Sequence, residues 1–211
     1  DIHVTEGRDL NNDDIEDANQ PHVVDLLGTD GNWFSVATNY GCELTQVDVV
    51  SESGFETQDS GYDYPNGLLN FTGDCESPGS NTDVRIYYYD TTLEGLSVRK
   101  YDPSTDGYSV VNETQLEQTS IDGHDVVIAT YNMADGNELD TDGDPSNGRW
   151  TDPVGFARVA QISSANEQRP AVTQSLASSG EDISRYTLIV GLLCLPIAAQ
   201  LIRKYSRGLE V

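Results

Sequence analysis

The chain has 211 residues, and 36 Asp or Glu against 11 Lys or Arg give it a formal net charge of −25. Affinity for nucleic acid comes mainly from Lys and Arg that release counterions from phosphates, so this charge excludes an ordinary nucleic-acid binder. The sequence contains no nucleophile elbow, phosphate-cradling glycine loop or zinc-protease helix motif, and its three histidines stand in no metal or nucleophile pattern. We therefore expect a protein that is not an enzyme.

Lysine is scarce, because Lys100 and Lys204 are the only two in the chain. Lysine depletion beside an excess of Asp resembles the composition of proteins from extreme halophiles. At multimolar salt the Debye length falls to about 3 Å or less, so the carboxylates no longer repel each other and keep the surface hydrated. An acidic mesophilic protein is the alternative. Disorder is disfavoured by the tyrosine, tryptophan and Val/Ile runs.

Residues 1–21 form an acidic N-terminal segment that begins at Asp1 without an initiator Met, which suggests a processed N-terminus. Residues 22–162 follow as a β-rich ectodomain, because short apolar alternations are divided by Asp, Gly and Asn turns. The turn 29–32 indicates a hairpin, and 102–107 joins two further runs. The pattern predicts one antiparallel sandwich or barrel. Its strands are expected at 22–27, 33–38, 43–50, 83–90, 96–101, 107–111, 125–131 and 154–162.

Cys42 and Cys75 are the only cysteines of the ectodomain and are predicted to form a disulfide. The bridge would close a 34-residue loop, which the chain-entropy relation values at roughly 3–4 kcal/mol. It would tie down residues 54–80, a Gly-, Asp- and Ser-rich stretch interpreted as a long excursion. Two free thiols are the alternative, and a zinc site is disfavoured because no second Cys or His stands at ligand spacing.

The sharpest chemical motif is the acidic run 135–144, whose alternating oxygen side chains would converge if the loop curls. Hard oxygen ligands at this spacing suit calcium, and the candidate ligands are Asp135, Asn137, Asp140, Asp142 and Asp144. The resemblance to an EF-hand loop covers only Asp140, Asp142 and Asp144, since Pro145 replaces the required glycine and Thr151 the bidentate Glu. A solvated acidic surface is the alternative. The sequence patterns require no cofactor, and calcium is the one metal that they favour.

Two N-glycosylation sequons, at Asn70 and Asn112, agree with an extracellular ectodomain. Residues 163–179 lose the β pattern and are predicted to be a stalk. Residues 180–204 are predicted to form one transmembrane helix with its cap, because 186–202 carry no charge. A buried hydrophobic helix is the alternative. The flanks that support membrane insertion are Arg185, Tyr186, Arg203, Lys204 and Arg207.

Charge asymmetry predicts the orientation of this helix. Residues 1–185 hold 8 basic and 35 acidic side chains, whereas 203–211 hold 3 basic and 1 acidic. By the positive-inside rule the tail 205–211 is internal and the acidic ectodomain external, which gives type I, single-pass topology.

The combination of a Lys-poor acidic β ectodomain, a stalk, an apolar anchor and a basic tail resembles haloarchaeal membrane-anchored surface proteins and membrane-anchored virion proteins of haloarchaeal viruses. The resemblance covers topology and composition and implies a structural or attachment role. We expect a non-catalytic assembly protein in a virion membrane or cell envelope, with lipid and neighbouring subunits as partners. The competing class is a cation-dependent ligand-binding module built from 135–144 and the tyrosines at 62, 64 and 87–89. A third class is an enzyme subunit that depends on another chain.

Transfer from multimolar KCl to dilute buffer is expected to lower the melting temperature of the protein, because repulsion among its carboxylates is then less screened. Thermal unfolding followed by circular dichroism over a KCl series measures this. A melting temperature that does not change with salt would contradict the halophilic interpretation.

Overall fold

The computed structural model describes residues 7–160. The predicted stalk, transmembrane helix and tail therefore lie outside the described residues, as do residues 1–6. Two single 3-10 turns, Asp17–Asn19 and Glu52–Gly54, are the helices within 7–160, and neither has the length or apolarity to cross a membrane. The strands are β1 (Val23–Leu27), β2 (Trp33–Ala37), β3 (Cys42–Val50), β4 (Tyr62–Asp63), β5 (Leu68–Cys75), β6 (Asn81–Tyr89), β7 (Leu96–Asp102), β8 (Gly107–Val110), β9 (Gln115–Ile121), β10 (His124–Ala134) and β11 (Arg149–Val159).

The strands form two antiparallel sheets. Sheet A has the order β1-β2-β6-β10-β9, and sheet B has the order β3-β5-β11-β7-β8, with β4 paired to the end of β11. The described chain is therefore mainly β, as predicted, with two sheets that enclose one core. The predicted hairpin turn is confirmed, because β1 and β2 pair directly and the Gly28 amide donates to the Asn32 carbonyl at 2.9 Å.

The core lies between the inner faces of the two sheets. On each strand alternate residues point inward, so Val24 and Leu26 of β1 enter the main cluster while Asp25 between them faces outward. Tyr88 of sheet A stacks on Phe156 of sheet B with ring centroids 3.5 Å apart. These contacts join the sheets across the core.

The structure corrects three predictions. Residues 54–80 are not one long excursion, because they contain β4 and also β5, which lies between β3 and β11 in sheet B. The run 115–121 was not predicted to be a strand, but it forms β9 at the edge of sheet A. Its side chains are mostly polar and exposed, so the sequence shows no apolar–polar alternation there. The last strand begins at Arg149 rather than at 154.

The predicted disulfide is confirmed, since Cys42 and Cys75 face each other across β3 and β5 and are bonded. Trp150 of β11 lies beside it and donates its Nε1 hydrogen to Cys75 Sγ at 3.4 Å. The indole crosses the β5 residue Gly73, where an added Cβ would lie 2.2 Å from the ring. Gly73 is thus required by the close approach of a fully buried tryptophan.

We expect Gly73→Ala to lower the free energy of unfolding by about 1–3 kcal/mol, because the new methyl group overlaps the Trp150 ring and the core must shift. Urea unfolding followed by Trp fluorescence measures the loss. Gly107→Ala is the matched control, because its Cβ would find its nearest atom at an ordinary 3.6 Å. Equal stability of the two variants would contradict this account of Gly73.

Candidate functional site

A pair of buried carboxylates lies under the N-terminal segment, on the outer face of sheet A. Asp25 points outward from β1 beside Ser35, its partner in β2. Asp17, in the first 3-10 turn, lies against Asp25, and both residues are 0% exposed. The Leu10 amide donates to Asp17 Oδ2 at 2.7 Å, whereas Asp17 Oδ1 and both Asp25 oxygens accept no hydrogen bond of normal geometry. The pair is the least satisfied acidic group of the described chain.

Burial dominates the electrostatics of this pair. Loss of solvation raises the pKa of Asp17 to about 8, and the neighbouring Asp25 adds to the rise while the Leu10 amide opposes it. Burial also raises the pKa of Asp25, against the hydrogen-bonding influence of Asp17 and Ser35 and the positive charge of Arg8. Two adjacent buried carboxylates cannot both stay ionised without a counter-charge, so the site holds either a shared proton or a cation.

An apolar cluster holds the N-terminal segment over this pair. Leu10 packs with the outward-facing Trp33 and Tyr89, and the Tyr89 hydroxyl donates to the Leu10 carbonyl at 2.8 Å. Arg8 stacks over the Trp33 ring at 3.7 Å from its centroid. Residues 8–10 are therefore packed against the outer face of sheet A, although the sequence indicates only that the segment is acidic.

The acidic loop 135–148 is ordered by backbone amides that donate to its side-chain oxygens. Asp135 Oδ2 accepts the amides of Gly79 and Gly148 at 2.9 Å each. In the predicted calcium motif, Asp140 Oδ1 accepts the Asp142 amide, Asp142 Oδ1 accepts the Asp144 amide, and Asn137 Oδ1 accepts the Asp140 amide. Within residues 7–160, no three Asp, Glu, His or Cys side chains form a group that could hold a metal ion.

The tyrosines predicted to join that loop lie elsewhere. Tyr88 is in the core, and Tyr64 is buried on the outer face of sheet B, where its hydroxyl donates to Asp59 at 2.6 Å. The loop leaves the sheet beside Asn81, at the opposite end of β6 from Tyr87. Six residue steps along the strand separate Asn81 from Tyr87, about 20 Å at roughly 3.3 Å per residue. The structure does not bring the predicted ligand-binding residues together.

The two sequons have different surroundings. Asn70 is half-buried in the middle of sheet B, opposite Asp48 of β3 and Pro153 of β11. Asn112 is exposed in the turn between β8 and β9. The five residues predicted to flank the membrane helix lie outside the described residues, as does His3.

The other two histidines have different surroundings. His22 is buried and stacks against Tyr40 with ring centroids 4.3 Å apart, and burial lowers its pKa. His124 is exposed, and its Nδ1 lies 2.9 Å from Asp90.

A buried ion pair joins two neighbouring strands of sheet B on the face that packs in the core. Lys100 Nζ of β7 lies 2.6 Å from Asp152 Oδ1 of β11, and these side chains are 4% and 0% exposed. The Tyr131 hydroxyl of β10 donates to Asp152 Oδ2 at 2.7 Å, and the ammonium group also donates to the Leu139 carbonyl. Both Asp152 oxygens are therefore satisfied, in contrast to the Asp17–Asp25 pair. A sequence pattern gives no signal for this pair, since its residues are 52 positions apart.

Comparisons of the chain with protein-family models, with curated proteins and with solved structures found no match.

Lys100→Met is expected to lower the free energy of unfolding by about 3–5 kcal/mol, because it leaves the Asp152 carboxylate buried without a counter-charge. Arg149→Met is the control, since it breaks the half-exposed pair with Asp74 (3.1 Å) and is expected to cost about 1 kcal/mol or less. Chemical denaturation at high salt measures both. Similar losses in the two variants would show that the buried pair is not specially required.

Proposed function

We propose that this chain is a non-catalytic, membrane-anchored structural protein of a halophilic virion or cell surface. In this proposal, residues 186–202 fix it in the membrane and the β-sandwich contacts neighbouring subunits. The observation that carries the proposal is a pair of open strand edges on one side of the sandwich. The charge and the lysine depletion of the chain support the halophilic setting.

The open side is formed by β8 and β9, the last strands of sheet B and sheet A. The turn 111–114 joins these two strands directly, so both edges lie on the same side of the sandwich. Edge strands present unpaired backbone N–H and C=O groups that can pair with another chain. On β9, Glu117, Gln118 and Ser120 are exposed, and on β8 Val110 remains 48% exposed. This side offers backbone hydrogen bonds and one apolar contact to a neighbour.

The opposite side is tied together within the chain. The Leu44 amide of β3 donates to the Pro21 carbonyl, just before β1, at 3.0 Å. The Thr38 hydroxyl, after β2, donates to the Cys42 carbonyl at 2.6 Å. These bonds engage the β1 and β3 side, so we assign the subunit contact to β8 and β9.

A cysteine placed on the open edge is expected to form disulfide-linked dimers or higher oligomers. Glu117→Cys on β9 is the test variant, and Gln46→Cys, exposed on β3 at the other edge of sheet B, is the matched control. Both full-length variants are oxidised in the native membrane at multimolar KCl and analysed by non-reducing electrophoresis. The prediction is cross-linked product for Glu117→Cys alone, above the background of the unmodified chain.

Cross-linking through Gln46→Cys instead would place the contact at the wrong edge. If chemical cross-linking at high salt also leaves the unmodified protein monomeric, the assembly function itself is wrong.

A further inference from the structure

A second acidic segment, 9–17, has the oxygen spacing of a calcium loop. Asp9, Asn11, Asp13 and Asp17 occupy its first, third, fifth and ninth positions. Calcium loops use these positions for side-chain ligands and the seventh, here Ile15, for a backbone carbonyl. The twelfth position, which is a bidentate Glu in an EF-hand, is Gln20 here, so the likeness covers the first nine positions. Over those positions the spacing is more complete than in the other acidic loop, where proline follows Asp144.

The backbone of this segment is already curled around its first carboxylate. Asp9 accepts the amides of Asp13 and Asp14 at 3.0 and 2.8 Å, and Asp13 Oδ1 accepts the Ile15 amide at 3.0 Å. Asp14, at the sixth position, has a φ of +69°. A calcium loop makes its sharp turn at this position, normally with glycine, and Asp is one of the residues that tolerate this conformation.

Buried acidic oxygens adjoin this loop and are independent of its turn geometry. Asp17 Oδ1 and both oxygens of Asp25 are buried and accept no hydrogen bond of normal geometry, and Asp25 lies against Asp17 from a strand of sheet A. Arg8, the nearby cation, stacks on Trp33 and forms no salt bridge to either carboxylate in the described chain. Buried carboxylates in proteins are paired or bind metal.

We propose that residues 9–17 bind one calcium ion through the side chains of Asp9, Asn11, Asp13 and Asp17 and the carbonyl of Ile15. Asp25 lies behind Asp17 and adds negative charge to the site. The described structure has Asp13 turned toward Gln20, whose amide donates to both carboxylate oxygens at 2.9 and 2.8 Å. The carboxylates of Asp9, Asp13 and Asp17 do not form a metal-holding group as they stand in the described residues. Calcium binding replaces the amide contact and draws the three carboxylates together.

The bound ion would fasten the N-terminal segment to sheet A. The Asp17 carboxylate accepts the Leu10 amide, and Leu10 packs into the cluster with Trp33 and Tyr89. Neutralising Asp17 and Asp25 removes the cost of burying them as anions. Calcium should therefore raise the melting temperature of the protein.

Terbium luminescence and calcium competition on the full 211-residue chain test the proposal. The protein is purified in mild detergent at high KCl and treated with EGTA. Excitation of tryptophan sensitises bound terbium, and Trp33 lies next to the segment. We expect terbium binding that calcium displaces with a dissociation constant on the order of 10⁻⁴ M, as in extracellular calcium modules. Calcium should also raise the melting temperature.

Two double variants separate the possible sites. Asp9→Asn with Asp13→Asn is expected to weaken calcium binding by about tenfold or more, because both ligand charges are lost. Asp140→Asn with Asp142→Asn makes the same chemical change in the other acidic loop and should retain binding. Near-ultraviolet circular dichroism checks that each variant is folded, and the single Asp13→Asn variant, at an exposed position, replaces the first if it is not.

The proposal is overturned if calcium neither displaces terbium nor raises the melting temperature of the unmodified chain. It is equally overturned if calcium binding is undiminished in Asp9→Asn with Asp13→Asn, whatever the Asp140→Asn with Asp142→Asn control shows. Failure here leaves the assembly function standing, because edge cross-linking does not depend on calcium.

Discussion

The carboxylate of Asp152 fixes how the two sheets face each other. Removing an ion pair from water costs several kcal/mol per ion, and this cost is offset only when the geometry satisfies every charged group. Here Lys100 approaches one oxygen from the neighbouring strand of sheet B, and Tyr131 reaches the other from sheet A. Lys100 also donates to Leu139, so the acidic loop shares the same anchor. A sliding of sheet A over sheet B would break the Tyr131 bond and leave one carboxylate oxygen of Asp152 buried without its donor.

Asp59 and Asp152 pair with buried cations. The chain places its other carboxylates in three environments, and net charge alone does not distinguish them. Most lie at the surface, where salt screens them. In the loop 135–148 they accept backbone amides and shape the connection between β10 and β11. At Asp17 and Asp25 they are buried without sufficient donors. Asp135 leaves one buried oxygen without a donor, whereas the Asp17–Asp25 pair leaves three, so this pair is where a proton or cation has the most to contribute.

Much of the sandwich could be predicted from local alternation, because strands with one buried face repeat every two residues. β5 was not predicted because it carries Thr72, Gly73 and Asp74, which are typical of turns in sequence. The reason for the glycine lies in Trp150, a residue distant in sequence that packs against it. β9 was not predicted either, because a strand at the edge of a sheet with mostly polar, exposed side chains shows little apolar alternation.

The disulfide was predictable from the count of cysteines, whereas the buried acidic pair was not. Asp17 and Asp25 look like ordinary members of an acidic chain, and their burial depends on Leu10 packing over sheet A. Long-range packing also separates Tyr88 from Tyr64, which the ligand-binding alternative had placed in one site. The sequence therefore located the acidic segments, but it could not show which of their carboxylates are buried.

The position of β11 has a consequence for the synthesis of the protein. β11 is the last strand of the described chain, yet it is central in sheet B and pairs with β5 and β7. Until residues 149–159 have left the ribosome, both of those strands lack a partner along one edge. Unpaired edges in an incomplete chain invite association with other chains. A nascent chain that has not yet released β11 therefore exposes two edges inside sheet B that the finished sheet covers.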